Sequence, residues 1–236
     1  MTRATRWTGT GLGLIAMTYA ALVGLAWHRY GRVRLPSPDE QDPLLDQFMP
    51  EYEIAERHHV RIAAPPATAL SVALDIDLHQ SLIARGLFRA RELLLGANPD
   101  AVEQPRGLLA QMTSLGWRVL AEAPGRELVV GSVTQPWLAN VVFRGVSPAD
   151  FRAFGEPGYV KIVWTLRADP FGDNESIFRT ETRVATTDPA AQAKFRWYWA
   201  RFSPGILLIR HVLLGLLKTT AERRVRQALI SGLPHA

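Results

Sequence analysis

Few side chains in this 236-residue sequence are spaced to do chemistry together. His58 and His59 are adjacent, so on a strand they point to opposite faces and cannot share a metal ion. His58 falls on the apolar side of its segment and is the candidate general base, because a neutral imidazole can take a proton near pH 7. A hydrogen-bonded core or rim histidine is the competing reading. Asp75 and Asp77 have the spacing of an acid pair, but between two helices they read as a turn residue and an N-cap. Arg210 and His211 interrupt an apolar stretch near the C-terminus; a pocket or a membrane surface would suit them, and solvent exposure is the default. Ser114, Ser132 and Ser203 stand in no nucleophile-elbow context. Gly9, Gly11 and Gly13 alternate with other residues but follow no strand, so they do not form a nucleotide loop. The spacing supports no catalytic triad, no metal site and no cofactor.

The elements that must position these residues begin with an uncharged window from Trp7 to Trp27, 21 positions long, flanked by Arg3 and Arg6 before it and Arg29, Arg32 and Arg34 after it. At about 1.5 Å per helical residue such a stretch covers roughly the 30 Å hydrocarbon core of a bilayer. Trp7 and Trp27 fall where an aromatic belt lies, with the arginines at headgroup level. Residues 1–34 are therefore expected to be a single-pass anchor in a bacterial inner membrane, with membrane lipid as a partner. The near-equal positive charge on the two sides leaves the side of the soluble part open. A cleaved signal peptide ending at Gly24-Leu25-Ala26 is the alternative. Gly9/Gly13 and Ala16/Ala20/Gly24 place small residues at i, i+4, the pattern that seats a second helix and predicts a weak homodimer.

The same arginines account for the whole formal charge of +5, since the other 202 residues balance 22 basic against 22 acidic side chains. A basic excess confined to the membrane flank suits anionic headgroups and argues against nucleic acid as a partner. With no cysteine, disulfides and thiolate metal sites are excluded. About 200 residues of ordinary hydrophobicity suffice for one well-buried domain, expected over residues 51–230.

Residues 35–50 carry four prolines and four acids, a composition that predicts a spacer unable to order itself. Beyond it, Ile54, His58, Val60 and Ile62 alternate with charged residues as a strand does. Pro65-Pro66 stops that strand and opens a short helix over residues 67–74, and a second helix is expected over 77–95. A small helix over residues 107–115 ends at Gly116. The period then changes to two. Strand signals cover residues 117–121, 127–133, 139–144, 159–168 and 176–186. In the last two, Val160, Ile162, Trp164 and Leu166 share a face, as do Phe178, Thr180, Thr182 and Val184. Arg179, Glu181 and Arg183 take the opposite side, read as a solvated face. A long helix starts near Pro189 behind Asp188, is expected to break or kink at Ser203-Pro204-Gly205, and resumes to about Gln227.

The run His59-Val60-Arg61-Ile62-Ala63-Ala64-Pro65-Pro66, followed by Ala69-Leu70 and Asp75-Ile76-Asp77-Leu78, resembles the START-like, or SRPBCC, superfamily. The order of elements over residues 52–227 resembles it too, with five strand signals after the helices where the family usually has six. The resemblance implies an α+β helix-grip fold: a curved antiparallel sheet wrapped around a long C-terminal helix, here preceded by a single transmembrane helix. It further implies an apolar cavity between sheet and helix that takes lipids, sterols, polyketides or other hydrophobic small molecules. The expected lining is Ile162, Trp164, Leu166, Phe178, Thr180, Thr182, Trp199 and Phe202, all of which would otherwise simply fill the core. Two function classes follow: a membrane-tethered binder or transporter of a hydrophobic ligand, and a cyclase- or dehydratase-like enzyme using His58 or a pocket acid.

Overall fold

The computed structural model describes residues 17–76, 86, 95–96 and 105–231. Strict alternation over residues 160–186 yields the two longest strands, β5 (Val160–Pro170) and β6 (Ser176–Thr186), paired antiparallel with Leu166 opposite Thr180. β1 (Ile54–Ile62) flanks β6, with His58 opposite Thr180. On the other side lie β3 (Glu127–Thr134) and then β2 (Arg118–Ala123), and a two-residue β4 (Phe143–Arg144) pairs with the end of β3. The order β1-β6-β5-β3-β2 is antiparallel throughout, so the α+β class and the five strands after the helices are as expected. Gly116 makes the approach of β4 feasible. Its φ of 99° suits glycine, and a Cβ there would lie 2.0 Å from the Phe143 carbonyl oxygen.

Two short helices, Pro66–Asp75 and Leu108–Ser114, cover one end of the inner face. The helix expected over 77–95 lies outside the described residues, apart from positions 86 and 95, which are helical. The C-terminal helix runs from Pro189 to Ser231, 43 residues. Asp188 caps it, its Oδ1 accepting from the backbone N–H of Ala190 and Ala191 at 2.8 and 2.9 Å. Of the expected break or kink at Ser203-Pro204-Gly205, a break does not occur, because the helix passes through Pro204. An internal proline costs about 3 kcal/mol, but Trp199, Ala200 and Ser203 before it and Leu214, Leu217 and Ala221 after it are all buried against the fold.

The outer face of the sheet departs most from expectation. Residues 35–50 do not stand off as a spacer. A 3-10 turn (Pro38–Glu40) and a helical turn (Pro43–Asp46), the latter capped by Asp42, lay this segment across the sheet. Leu45, Phe48 and Met49 are buried against Val129, Val133, Val163 and Phe151. The charged residues on that face are consequently not solvated. Arg183 is 1% exposed, and donates to Glu181 Oε1 (2.7 Å), Asp46 Oδ1 (2.5 Å) and the Met49 carbonyl (2.8 Å). Arg167 donates to the carbonyls of Gln41 and Asp39 at 2.8 and 3.2 Å. Composition misled here because the four apolar residues Leu44, Leu45, Phe48 and Met49 are enough to dock a segment whose polar groups find partners on the strands.

Of the proposed anchor, residues 1–16, including Trp7, lie outside the described residues, and residues 17–29 are helical. This N-terminal helix packs on the first part of the C-terminal helix. The Trp27 ring meets the Trp197 ring at 4.7 Å with the planes tilted by 54°, the Arg196 guanidinium sits 4.1 Å over the Trp27 ring, and Arg196 Nη2 donates to the Trp27 carbonyl at 3.1 Å. Arg34 grips Glu40 with contacts of 2.6 and 2.8 Å, and Arg32 meets His28 Nε2 at 2.5 Å. Among the described residues the C-terminal helix is the one helix long and apolar enough to cross a membrane, and little of its most apolar stretch is buried.

Candidate functional site

Between the concave face of the sheet and the C-terminal helix lies a cavity of ≈ 320 Å³, at the lower end of the range usual for small-molecule sites. β5 and β6 supply its floor. Because side chains two apart share a face, Ile162, Trp164 and Leu166 from β5 meet Phe178, Thr180 and Thr182 from β6 on its wall. The helix lines its other side with Trp199, Ile206, Leu213 and Leu217, and Met112 and Trp117 also line it. Seven of the eight side chains expected to line a cavity therefore meet there. Phe202 does not: it is half-buried and packs on Tyr198 at 4.8 Å, off the wall.

His58 is not on the cavity wall either. Its Nε2 lies 3.7 Å from Glu56 Oε2, its ring meets the His211 ring edge-on at 5.0 Å, and Nε2 is buried with no hydrogen-bond partner. The serines have structural partners. Ser132 Oγ donates to the Arg144 carbonyl at 3.1 Å and ties β4 to β3, and Ser114 Oγ donates to the Gln111 carbonyl at 2.8 Å within its helix.

The polar part of the wall was not legible as such. Glu56, two residues before His58 on β1, lines the cavity, and so does Arg210 from the C-terminal helix. Arg210 Nη1 donates to the Glu56 carbonyl at 3.1 Å and Nη2 to Thr182 Oγ1 at 2.5 Å. Burial pulls the guanidinium down to about 10, with the Glu56 charge opposing the shift, so it remains a cation at neutral pH. Beside it Trp164 Nε1 donates to Thr180 Oγ1. The available signal was Arg210 itself, a lone cation within a run of apolar helical residues, for which exposure was the default.

No protein-family model and no curated protein matches the chain. Solved structures do. Norcoclaurine synthase from Thalictrum flavum, in complex with dopamine and hydroxybenzaldehyde, is 13% identical over 78% of this chain and 95% of its own, with a TM-score of 0.30. CalU16 from Micromonospora echinospora is 14% identical over 72% and 84%, with a TM-score of 0.26. The Zhui aromatase/cyclase from a Streptomyces species is 16% identical over 74% and 97%, with a TM-score of 0.25.

Proposed function

We propose that this chain binds one hydrophobic small molecule or lipid in the cavity between sheet and C-terminal helix, and that residues 7–27 hold it at a membrane. The observation that carries the reading is the cavity wall: a continuous apolar surface from β5, β6 and the helix, interrupted by one small polar group of Glu56, Thr180, Thr182 and Arg210. That combination, mostly apolar with a few convergent polar atoms, is how small-molecule sites gain both affinity and orientation. The test is to purify the full chain from a membrane fraction, extract it with organic solvent and identify what co-purifies by mass spectrometry. A stoichiometric apolar compound, lost in Thr180→Phe, supports the reading; a cavity that yields nothing and binds no added lipid overturns it.

A second, enzymatic reading has one observation in its favour. A cyclase- or dehydratase-like step needs a proton-transfer group at the ligand, and Glu56 is on the wall, its carboxylate 3.7 Å from the unpartnered His58 Nε2. Recovery of the co-purified molecule chemically unchanged after incubation argues against it. The small-residue stripe over Gly9, Gly13, Ala16, Ala20 and Gly24 supports a weak homodimer through the anchor, which cross-linking in the membrane would capture.

A further inference from the structure

Arg210 is an unusual wall for a hydrophobic pocket. Its guanidinium has five N–H donors; one meets a backbone carbonyl and one a threonine hydroxyl, both neutral. Among the described residues no carboxylate lies within 4.0 Å of it. The nearest candidate, Glu56, offers Arg210 its backbone carbonyl, and its carboxylate oxygen is instead 3.7 Å from His58 Nε2. A cation drawn into an apolar wall without a counter-ion in contact is costly, and Arg210 is fixed there by two hydrogen bonds from the helix to β1 and β6.

The ordinary structural solution, a carboxylate in contact, is present on the opposite face of the same sheet. There Arg183 and Arg167, both buried, meet Glu181, Asp46 and Asp169 at 2.5 to 3.0 Å. The contrast separates the two faces: where arginine is only structural the chain supplies the carboxylate, and where it lines the cavity the chain leaves donors unused.

We infer that the cavity ligand is a single-headed amphiphile whose carboxylate is received by Arg210 and whose apolar tail lies along Trp164, Leu166, Phe178 and Leu217. This inference rests on the binding reading above and specifies its ligand class. The guanidinium fork matches a carboxylate in shape and offers parallel N–H donors to it. A monoanion is favoured over a phosphate dianion because Glu56 already places one negative charge on that wall. Thr182, held by Arg210, fixes the fork so that little side-chain freedom is lost on binding.

The test uses the full chain in detergent, with 9,10-dibromostearic acid and its methyl ester as probes. Bromine quenches the cavity tryptophans Trp117, Trp164 and Trp199, and the two probes share one tail. At pH 7.5 the acid should quench at about tenfold lower concentration than the ester, as expected for a charge-assisted contact. In Arg210→Met the acid should lose its advantage over the ester, and in Arg210→Lys part of that advantage should return. If Arg210→Met fails to melt cooperatively, the acid-to-ester ratio of the unaltered chain, measured with and without Thr182→Val, still decides. Equal quenching by acid and ester in the unaltered chain overturns the carboxylate head and leaves cavity binding standing. Quenching by neither overturns both.

Discussion

At the level of single residues, the strand alternation that places Ile162, Trp164, Leu166, Phe178, Thr180 and Thr182 on one wall is legible because a strand has a period of exactly two and cannot mix its faces. Helical faces are read less sharply, which is why Trp199 reaches the cavity and Phe202 does not. Polar wall residues are harder still. Nothing in the local pattern distinguishes a buried Arg210 from an exposed one, because its partners come from β1 and β6, over a hundred and about thirty positions away in sequence. Two substitutions probe this wall. Thr180 is 4% exposed at its centre, so Thr180→Phe fills the cavity; overpacking costs about 1–3 kcal/mol, and the expected result is a cooperative melt with ligand lost. Trp199, 8% exposed and packed 5.9 Å from Phe195, covers the other side. Trp199→Ala should cost about 3–5 kcal/mol by loss of a buried aromatic, and an unchanged melting temperature would show that the helix does not cover the core.

At the level of elements, the informative piece is the strap over residues 35–50. Its composition argues for disorder, yet the outer face of the sheet holds Arg183, Glu181, Arg167, Thr165 and Glu127 in a row that would be wasteful if it were meant for water. That row, read together with Leu44, Leu45, Phe48 and Met49, is the signal for a covering segment. Removing residues 1–34 should leave a cooperative melt, while removing residues 1–50 should strip Arg183 of two partners, uncover Val129, Val133 and Val163, and lower stability by several kcal/mol, on the order of a broken buried ion pair. A carboxyl beneath the strap, Glu127 of β3, titrates as well. Burial, with the Asp42 carboxylate next in effect, raises Glu127 from 4.5 to about 7. The folded chain therefore binds more protons at this site than the unfolded chain between those values, so stability falls as pH rises across that window. Melting temperatures measured from pH 4.5 to 8 should decline, with the loss complete above about 7, and Glu127→Gln should flatten the slope. A rise over the same interval would mean that Glu127 is ionised beneath the strap.

At the level of the whole molecule, two long apolar segments compete for the role of anchor: the uncharged window over residues 7–27 and the helix Pro189–Ser231. Length and hydropathy alone admit the second. Its polar side chains argue otherwise. Arg210 bonds β1 and β6, Lys218 Nζ donates to the Arg61 carbonyl at 2.7 Å, and Arg196 holds the Trp27 carbonyl, so this helix is bonded to the domain along its length. Moving it into a bilayer would break each of these bonds and place cations in hydrocarbon, at about 2.5–3.5 kcal/mol apiece on insertion scales. In the described part of the N-terminal window, the Tyr19 hydroxyl donates to the Arg201 carbonyl and the Trp27 carbonyl accepts from Arg196. The contact of Trp27 with Trp197 seats the end of the proposed anchor on the C-terminal helix, beside Arg201. The expected outcome is a full-length chain that stays in the membrane pellet after alkaline carbonate, with an intact N-terminus by mass spectrometry, and a fragment 35–236 that is released to the supernatant. A mature terminus at Trp27 would turn the window into a signal peptide, and a fragment 35–236 that resists carbonate would transfer the span to the C-terminal helix and undo the grip on which the cavity depends.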